Sequence, residues 1–109
     1  MPRWKVKGRS KYGNKKVELD GYKFDSIKEK NRYVELMLMQ KVGEISALEV
    51  HLSFDLPVNS VLIAKYVSDF TYYREGNYCV EDAKGFKTPV YRLKKKLMKA
   101  IYRIEILET

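Results

Sequence analysis

The sequence has few of the residues and runs that mark several protein classes. Its 109 residues include one cysteine, Cys79, which excludes a disulfide framework within the chain and favours a reducing, cytoplasmic compartment. No apolar run approaches the roughly 20 residues that span a bilayer, so we expect no membrane segment. The opening MPRWKVKGRS lacks the apolar stretch of a signal peptide. CxxC pairs, glycine-rich phosphate loops and internal repeats are also absent, and the length suits one domain.

Acidic residues are missing from two long segments of the chain. Residues 1–16 carry seven Lys or Arg and residues 84–104 carry eight, with no acid in either segment. The intervening residues 17–83 hold twelve acidic and seven basic side chains, and the net charge is +8. Basic segments interleaved with aromatic residues predict a polyanionic partner, most simply nucleic acid. The alternative is a basic protein without a specific partner.

Local signals predict a short hairpin and then a helix. Residues 1–14 are polar and read as a flexible basic arm, which leaves residues 15–109 as a single domain. Asp20-Gly21 suits a tight hairpin turn between two short strands. Ser26 as N-cap and Glu29 three residues later form a capping box, and the helix is expected over about residues 27–42. Its apolar residues surround most of the helix, which predicts burial on more than one side.

The remainder of the chain predicts three strands, a helix and a final strand. Strands are expected over residues 48–57, 61–73 and 78–84, the last two as a hairpin. Thr88 as N-cap and Pro89 at the first helical position open a second helix with a basic outer face, and residues 103–107 can return as a strand. The apolar face of this second helix is expected to comprise Val90, Leu93, Leu97 and Ile101. The fold class is α/β (α+β), with a mixed central sheet preceded by the small N-terminal hairpin.

Three charged residues of the strand hairpin are expected on one face. Asp82 and Lys84 are two residues apart in one strand, and Asp69 lies in the preceding strand. If residues 74–77 form a four-residue loop, Tyr73 pairs with Tyr78 and Asp69 lies opposite Asp82 with Cβ atoms ~5 Å apart. A turn at residues 76–77 would instead bring Asp69 opposite Lys84. Two carboxylates can share a divalent ion that promotes phosphodiester hydrolysis, but a surface ion cluster explains the same pattern.

The spacing of these residues resembles a nuclease signature. Asp69, followed thirteen residues later by Asp82-Ala83-Lys84, is similar to the PD-(D/E)xK motif of a nuclease superfamily, with Ser68 in place of the motif proline. The predicted order of elements matches the αβββαβ core of that superfamily. Three segments further resemble a small phage-associated family within it, over about residues 10–107: SKYGNKKVELDGYKFDSIKEKNRYVEL, YVSDF and VEDAKGFKTPVYRLKKKL.

This resemblance implies a metal-dependent DNA endonuclease. Asp69, Asp82 and the backbone carbonyl of Ala83 would bind Mg²⁺, for which Mn²⁺ can substitute, and Lys84 would orient the attacking water. Glu29 would bind metal or water, unless its carboxylate only returns to the backbone of Ser26. The resemblance also implies 5′-phosphate and 3′-hydroxyl products. By analogy we expect a homodimer that acts on branched DNA such as Holliday junctions, in a phage protein within the bacterial host.

Other residues complete the expected site and its surroundings. His51, the single histidine, is expected to be solvated on the polar face of its strand. Glu81 is expected to face away from Asp82, and Cys79 to be a small core residue. The residues expected to contact DNA are Lys87, Thr88, Arg92, Lys95, Lys96 and Lys99, although loop and cap duty explains the first two equally well. A noncatalytic, basic nucleic-acid-binding protein with this fold is the alternative function.

Overall fold

The computed structural model describes residues 16–83 and 87–109. The predicted basic arm over residues 1–14, and Lys84 of the nuclease-like motif, lie outside these ranges. Within them no helix is long and apolar enough to cross a membrane. The elements in chain order are β1 Val17–Leu19, β2 Tyr22–Phe24, α1 Ile27–Lys41, β3 Ser46–Val50, β4 Ser53–Val58, β5 Val61–Val67, β6 Phe70–Arg74, β7 Asn77–Asp82, α2 Pro89–Tyr102 and β8 Leu107–Glu108.

A mixed sheet of four strands forms the centre of the fold. Its strand order is β3-β6-β7-β8. The β3/β6 and β6/β7 pairs are antiparallel, whereas β8 runs parallel to β7 after the α2 crossover. The elements that build this unit are α1, β3, β6, β7, α2 and β8, in the predicted αβββαβ order, and β1 and β2 form the predicted N-terminal hairpin. The predicted fold class is therefore confirmed.

Tight turns set the register of the hairpins. Asp20 and Gly21 have φ values of 54° and 83°, and Glu75 and Gly76 have values of 51° and 80°. Two consecutive left-handed residues are typical of the primed turns that match strand twist. In the second hairpin Tyr73 pairs with Tyr78, which confirms the first of the two predicted registers. The predicted four-residue loop is wrong, because Arg74 and Asn77 also pair and leave a two-residue turn.

Both long predicted strands are broken at the same level, which corrects their predicted bounds. β3 ends at Val50 and the next strand begins at Ser53, while β5 ends at Val67 and the next strand begins at Phe70. His51 has a left-handed φ of 59°, a conformation that is uncommon for a residue other than glycine and that turns the strand. The backbone N–H of His51 still donates to the Asp69 carbonyl at 3.1 Å. As a result β4 and β5 pair with each other outside the central sheet.

Two apolar cores cover the opposite faces of the central sheet. Since Phe70 pairs with Glu81 and Thr71 with Val80, side chains of these strands alternate between the faces. The first core packs under α1 and the second under α2. The first comprises Phe24, Tyr33, Leu36, Ile45, Phe70 and Tyr72, and the second Leu56, Tyr66, Val80, Tyr91, Met98 and Ile106.

The buried faces of the two helices match the prediction only in part. α1 buries one side only, because the sheet and the first hairpin cover only that side, and Leu38 on the other side is 60% exposed. In α2 the prediction holds for Leu97 and Ile101, which are partly buried against the second core, but Val90 and Leu93 are exposed. The fully buried residues of this helix are Tyr91 and Met98. The Tyr91 ring packs in the second core, and its hydroxyl donates a 2.8 Å hydrogen bond to Glu108.

Candidate metal centre

Glu29 lies at the start of α1 with a buried carboxylate. The Ser26 hydroxyl oxygen accepts a hydrogen bond from the Glu29 backbone N–H at 3.1 Å, as predicted for a capping box. Glu29 Oε1 accepts from the backbone N–H of Asp25 at 2.8 Å, one residue before the expected partner. Its second oxygen, Oε2, is 3.1 Å from His51 Nε2. Capping therefore uses one oxygen of the carboxylate and leaves the other in contact with His51.

His51 is not the solvated residue expected from strand alternation. Its side chain is 34% exposed, and its ring lies 5.9 Å from the ring of Phe24, centre to centre. The left-handed backbone at the bend directs the imidazole towards Glu29. The expectation was wrong because alternation assumes an unbroken strand. The sequence carries no local signal for the break, since His51 is flanked by regularly alternating residues.

Asp69 lies on the partner segment of the bend, directly before β6. Its backbone N–H donates to the Glu81 carbonyl at 3.1 Å, and its Oδ2 accepts a hydrogen bond from the Ala83 backbone N–H at 2.6 Å. Asp69 thereby reaches the Asp-Ala-Lys segment of the neighbouring strand, as the register predicts. The role predicted for the Ala83 carbonyl stays a prediction.

Glu29, His51 and Asp69 converge at the bend. One ligand atom from each of the three side chains lies within 4.8 Å of the other two. Two carboxylates and an imidazole are common metal ligands, and burial of Glu29 reduces competition from water. The donor set therefore fits a divalent ion. Helix α1, the end of β3 and the start of β6 supply one ligand each, so the group exists only in the folded chain.

Asp82 is buried beside this group but is not one of its three members. The side chain is 1% exposed, and Oδ2 accepts a hydrogen bond from the Tyr66 hydroxyl at 2.6 Å. Burial, and then the hydrogen bond to Asp82, raise the pKa of Tyr66 well above its usual value, with a smaller contribution from the charge of Asp69. Both acids thus lie within electrostatic range of one hydroxyl. Their joint binding of an ion stays a prediction.

Glu81 points to the opposite face of the sheet, as expected. Its two oxygens accept hydrogen bonds from Arg32 Nε at 2.8 Å and Arg32 Nη2 at 2.6 Å, and the Tyr72 hydroxyl donates to it as well. The hydrogen bond to Glu81 is the main cause that raises the pKa of Arg32. Cys79 packs against the same core from this face, partly buried as expected of a small core residue. Glu81 therefore belongs to a structural ion pair.

A basic groove of about 420 Å³ runs along α2 and the segment that leads into β8. Thr88 does not line it, and its hydroxyl oxygen instead accepts from the Tyr91 N–H at 3.0 Å as the N-cap. Of the six residues predicted to contact DNA, Thr88 is therefore the helix cap and the other five line one groove. The groove is lined by Lys87, Arg92, Lys95, Lys96 and Lys99, together with Ile104, Glu105 and Glu108.

Glu108 is a residue of this groove that sequence reasoning missed. Its carboxylate accepts from the Tyr91 hydroxyl at 2.8 Å and pairs with Lys87 and Lys95 at 3.0 Å each. These three contacts, the Tyr91 hydrogen bond first, lower the pKa of Glu108 to about 2. No pattern near Glu108 indicated this role, because its partners come from α2 and the preceding loop. The groove thus contains an anion among its cations.

Comparison with known proteins gives one result. Residues 9–107 match the sequence model of a family described as "Protein of unknown function (DUF1064)". The chain belongs to this family. The DUF1064 match includes the positions of Glu29, His51, Asp69 and Asp82. No curated protein and no solved structure matches the chain significantly.

Proposed function

We propose that this DUF1064 protein is a metal-dependent endonuclease that hydrolyses phosphodiester bonds in DNA. The observation that carries the proposal is the meeting of Glu29, His51 and Asp69 within 4.8 Å, with Asp69 hydrogen-bonded to Ala83 of the Asp-Ala-Lys segment. The resemblance of this segment to the PD-(D/E)xK signature supports the same chemistry. So does the order of helices and strands around the central sheet.

The residues of the proposed site divide into metal ligands and a lysine that acts on the attacking water. Asp69 and Glu29 hold the metal ion, Mg²⁺ or Mn²⁺, with Asp82 as a further proposed ligand. When bound, the ion supplies charge that polarises the scissile phosphate and favours hydroxide over water. Lys84, by its place in the motif, orients the attacking water and stabilises the developing negative charge. Attack at phosphorus then releases the 3′-oxygen and leaves a 5′-phosphate.

The basic groove is proposed to hold the DNA backbone. Lysine and arginine side chains bind phosphates through charge, without reading the base sequence. Arg92 and Lys96 are exposed to solvent in the groove. Branched DNA as the substrate, and a homodimer that cuts two strands, are proposed on analogy with small phage nucleases of the superfamily.

The alternative function is noncatalytic binding of nucleic acid. The groove favours it, because its cations are sufficient for phosphate contact without the acidic group. The two functions differ in what removal of the acids does. In a nuclease the loss of Asp69 abolishes cleavage and leaves binding, whereas in a binding protein there is no cleavage to lose.

The test is a cleavage assay on a panel of DNA substrates. Linear, nicked, single-stranded and four-way-junction DNA are incubated with the protein and Mg²⁺ or Mn²⁺, with and without EDTA. We expect metal-dependent cleavage that Asp69→Asn, Asp82→Asn and Lys84→Ala each abolish while DNA binding persists. Asp55→Asn is the matched control, since Asp55 is an exposed acid on β4 paired with Lys65. A wild-type protein that cuts none of the four substrates would rule out the nuclease and leave the binding protein.

A further inference from the structure

The candidate centre contains a nitrogen donor that the predicted all-oxygen ligand set lacks. We propose that His51 bonds directly to the metal ion and that the centre therefore binds a first-row transition ion such as Mn²⁺ more tightly than Mg²⁺. This inference rests on the metal centre of the proposed function, but not on DNA cleavage. It gives a binding role to a histidine for which the nuclease-like motif has no place.

The distance between the donor atoms suits a shared ion. Adjacent ligands on an octahedral ion with bonds of about 2.1 Å lie about 3.0 Å apart. His51 Nε2 and Glu29 Oε2 are 3.1 Å apart, and Asp69 completes the group within 4.8 Å. A shift of the Asp69 carboxylate by up to about 2 Å would bring all three donors to the spacing of a facial ligand set.

Both partners of this short distance are held in place by contacts of their own. Glu29 is fixed by burial and by the Asp25 N–H on its other oxygen. His51 is fixed by its backbone bond to Asp69 and by the Phe24 ring. Because the ligands are already ordered, an ion loses little affinity to side-chain rearrangement.

The chemistry of the donors decides which ion gains most. Mg²⁺ prefers oxygen ligands and keeps several waters, whereas imidazole nitrogen is a better ligand for first-row transition ions. A group of two carboxylates and one imidazole therefore discriminates against Mg²⁺ without excluding it. The competing explanation is that His51 only hydrogen-bonds Glu29 and takes no part in metal binding.

The single histidine makes the inference directly testable with Mn²⁺ alone. Electron spin-echo envelope modulation of bound Mn²⁺ detects a directly bonded imidazole nitrogen. Since His51 is the one histidine of the 109 residues, an untagged protein can give that signal only through His51. We expect the nitrogen coupling in the wild type, and calorimetric titration that shows tighter binding of Mn²⁺ than of Mg²⁺.

Two variants and one control complete the experiment. In His51→Gln the coupling should disappear and Mn²⁺ affinity fall about tenfold or more, as even outer-shell losses cost about 10–100-fold, while Mg²⁺ affinity changes far less. His51→Asn should behave alike and tolerates the left-handed backbone better, so it serves if the first variant does not fold. Asp55→Asn should match the wild type.

The outcomes separate this inference from the proposed function. Mn²⁺ bound without nitrogen coupling, equal affinities for Mn²⁺ and Mg²⁺, or no binding of either ion would each overturn the role of His51. A protein that shows the coupling but cuts no DNA would overturn the nuclease and leave the metal centre. A protein that cuts DNA with Mg²⁺ and shows no coupling would overturn the role of His51 and support the nuclease.

Discussion

Arg32 and Glu81 show how single side chains can look alike in sequence and differ in role. Glu81 precedes Asp82 directly, yet the strand turns it to the α1 face, where Arg32 binds both of its oxygens. A carboxylate that is 1% exposed needs such a partner, because burying an unpaired charge costs several kcal/mol. Arg32 therefore offsets the cost of burying the Glu81 charge. The neighbouring Asp82 lies on the other face of the sheet.

Removing Arg32 should destabilise the fold strongly. In Arg32→Met the buried Glu81 keeps Tyr72 as a partner but loses its counter-charge, and we expect a loss of about 3 kcal/mol of unfolding free energy. Urea unfolding followed by circular dichroism measures this loss. Arg74→Met is the control, since Arg74 pairs with Glu44 at the surface at 3.8 Å and should lose less than about 1 kcal/mol. Equal losses in the two variants would contradict the structural role of Glu81.

Glu108 should make the stability of the protein depend on acid. Its pKa is about 2 in the folded protein and 4.5 ordinarily, so its contribution is complete above about pH 4.5 and is lost as the pH falls towards 2. We therefore expect Glu108→Gln to be less stable than wild type at neutral pH and to lose less stability on acidification. Urea unfolding at about pH 7 and about pH 3 measures the difference. Parallel pH profiles of the two proteins would contradict it.

At the scale of elements, the helix caps and the first hairpin turn form where local chemistry predicts them, whereas the second turn lies one residue before the predicted two-residue turn. Ser26 and Thr88 cap the two helices, and the primed turns at residues 20–21 and 75–76 set the hairpin registers. The strand bounds differ because the bend at His51 and Asp69 depends on two segments that pair across the hairpin. The residue pattern of one segment does not predict a bend that depends on its pairing with another segment.

The N-cap of α2 gives a test at this scale. Thr88→Ala removes the acceptor for the Tyr91 N–H and should cost about 1 kcal/mol of unfolding free energy. Thr88→Ser keeps the hydroxyl and should retain most of that stability. Chemical denaturation of the three proteins side by side provides the measurement. If serine destabilises as much as alanine, packing of the threonine methyl group and not the cap explains the effect.

At the scale of the whole molecule, charge is distributed unevenly between two sites. The acidic group lies at the bend of the sheet, and cations of α2 line the groove with Glu105 and Glu108. Lys87 and Lys95 are paired with Glu108 and Lys99 with Glu105 at 3.4 Å. A phosphate backbone that enters the groove must therefore compete with these carboxylates for three of the five cations.

DNA binding should depend most on the groove cations that these acids leave exposed. We expect the double variant Arg92→Ala with Lys96→Ala to weaken duplex binding and to reduce the salt slope by about two, since each phosphate contact contributes about 0.9. Fluorescence anisotropy over a range of salt concentrations measures the slope. The matched control, Arg74→Ala with Lys41→Ala, also removes one arginine and one lysine from exposed positions. An equal fall of the slope in the control would mean that total charge, and not the groove, binds DNA.

Features that depend on neighbours along the chain follow from the sequence alone. Helix starts, tight turns, the αβββαβ order and the opposite orientations of Glu81 and Asp82 follow from capping groups, glycine and the alternation of strand side chains. The facing of Asp69 and the Asp-Ala-Lys segment also followed, because it requires only the hairpin register.

Contacts between side chains that are distant in the sequence depend on how the elements pack. His51 joins Glu29 because the strand bends with a left-handed residue, and Glu108 enters the groove because β8 returns beside β7. The same applies to the buried face of α2, where Tyr91 lies in the second core and Val90 is exposed. Such contacts depend on packing between segments far apart in the chain. Sequence periodicity carries no information on the distances between those segments.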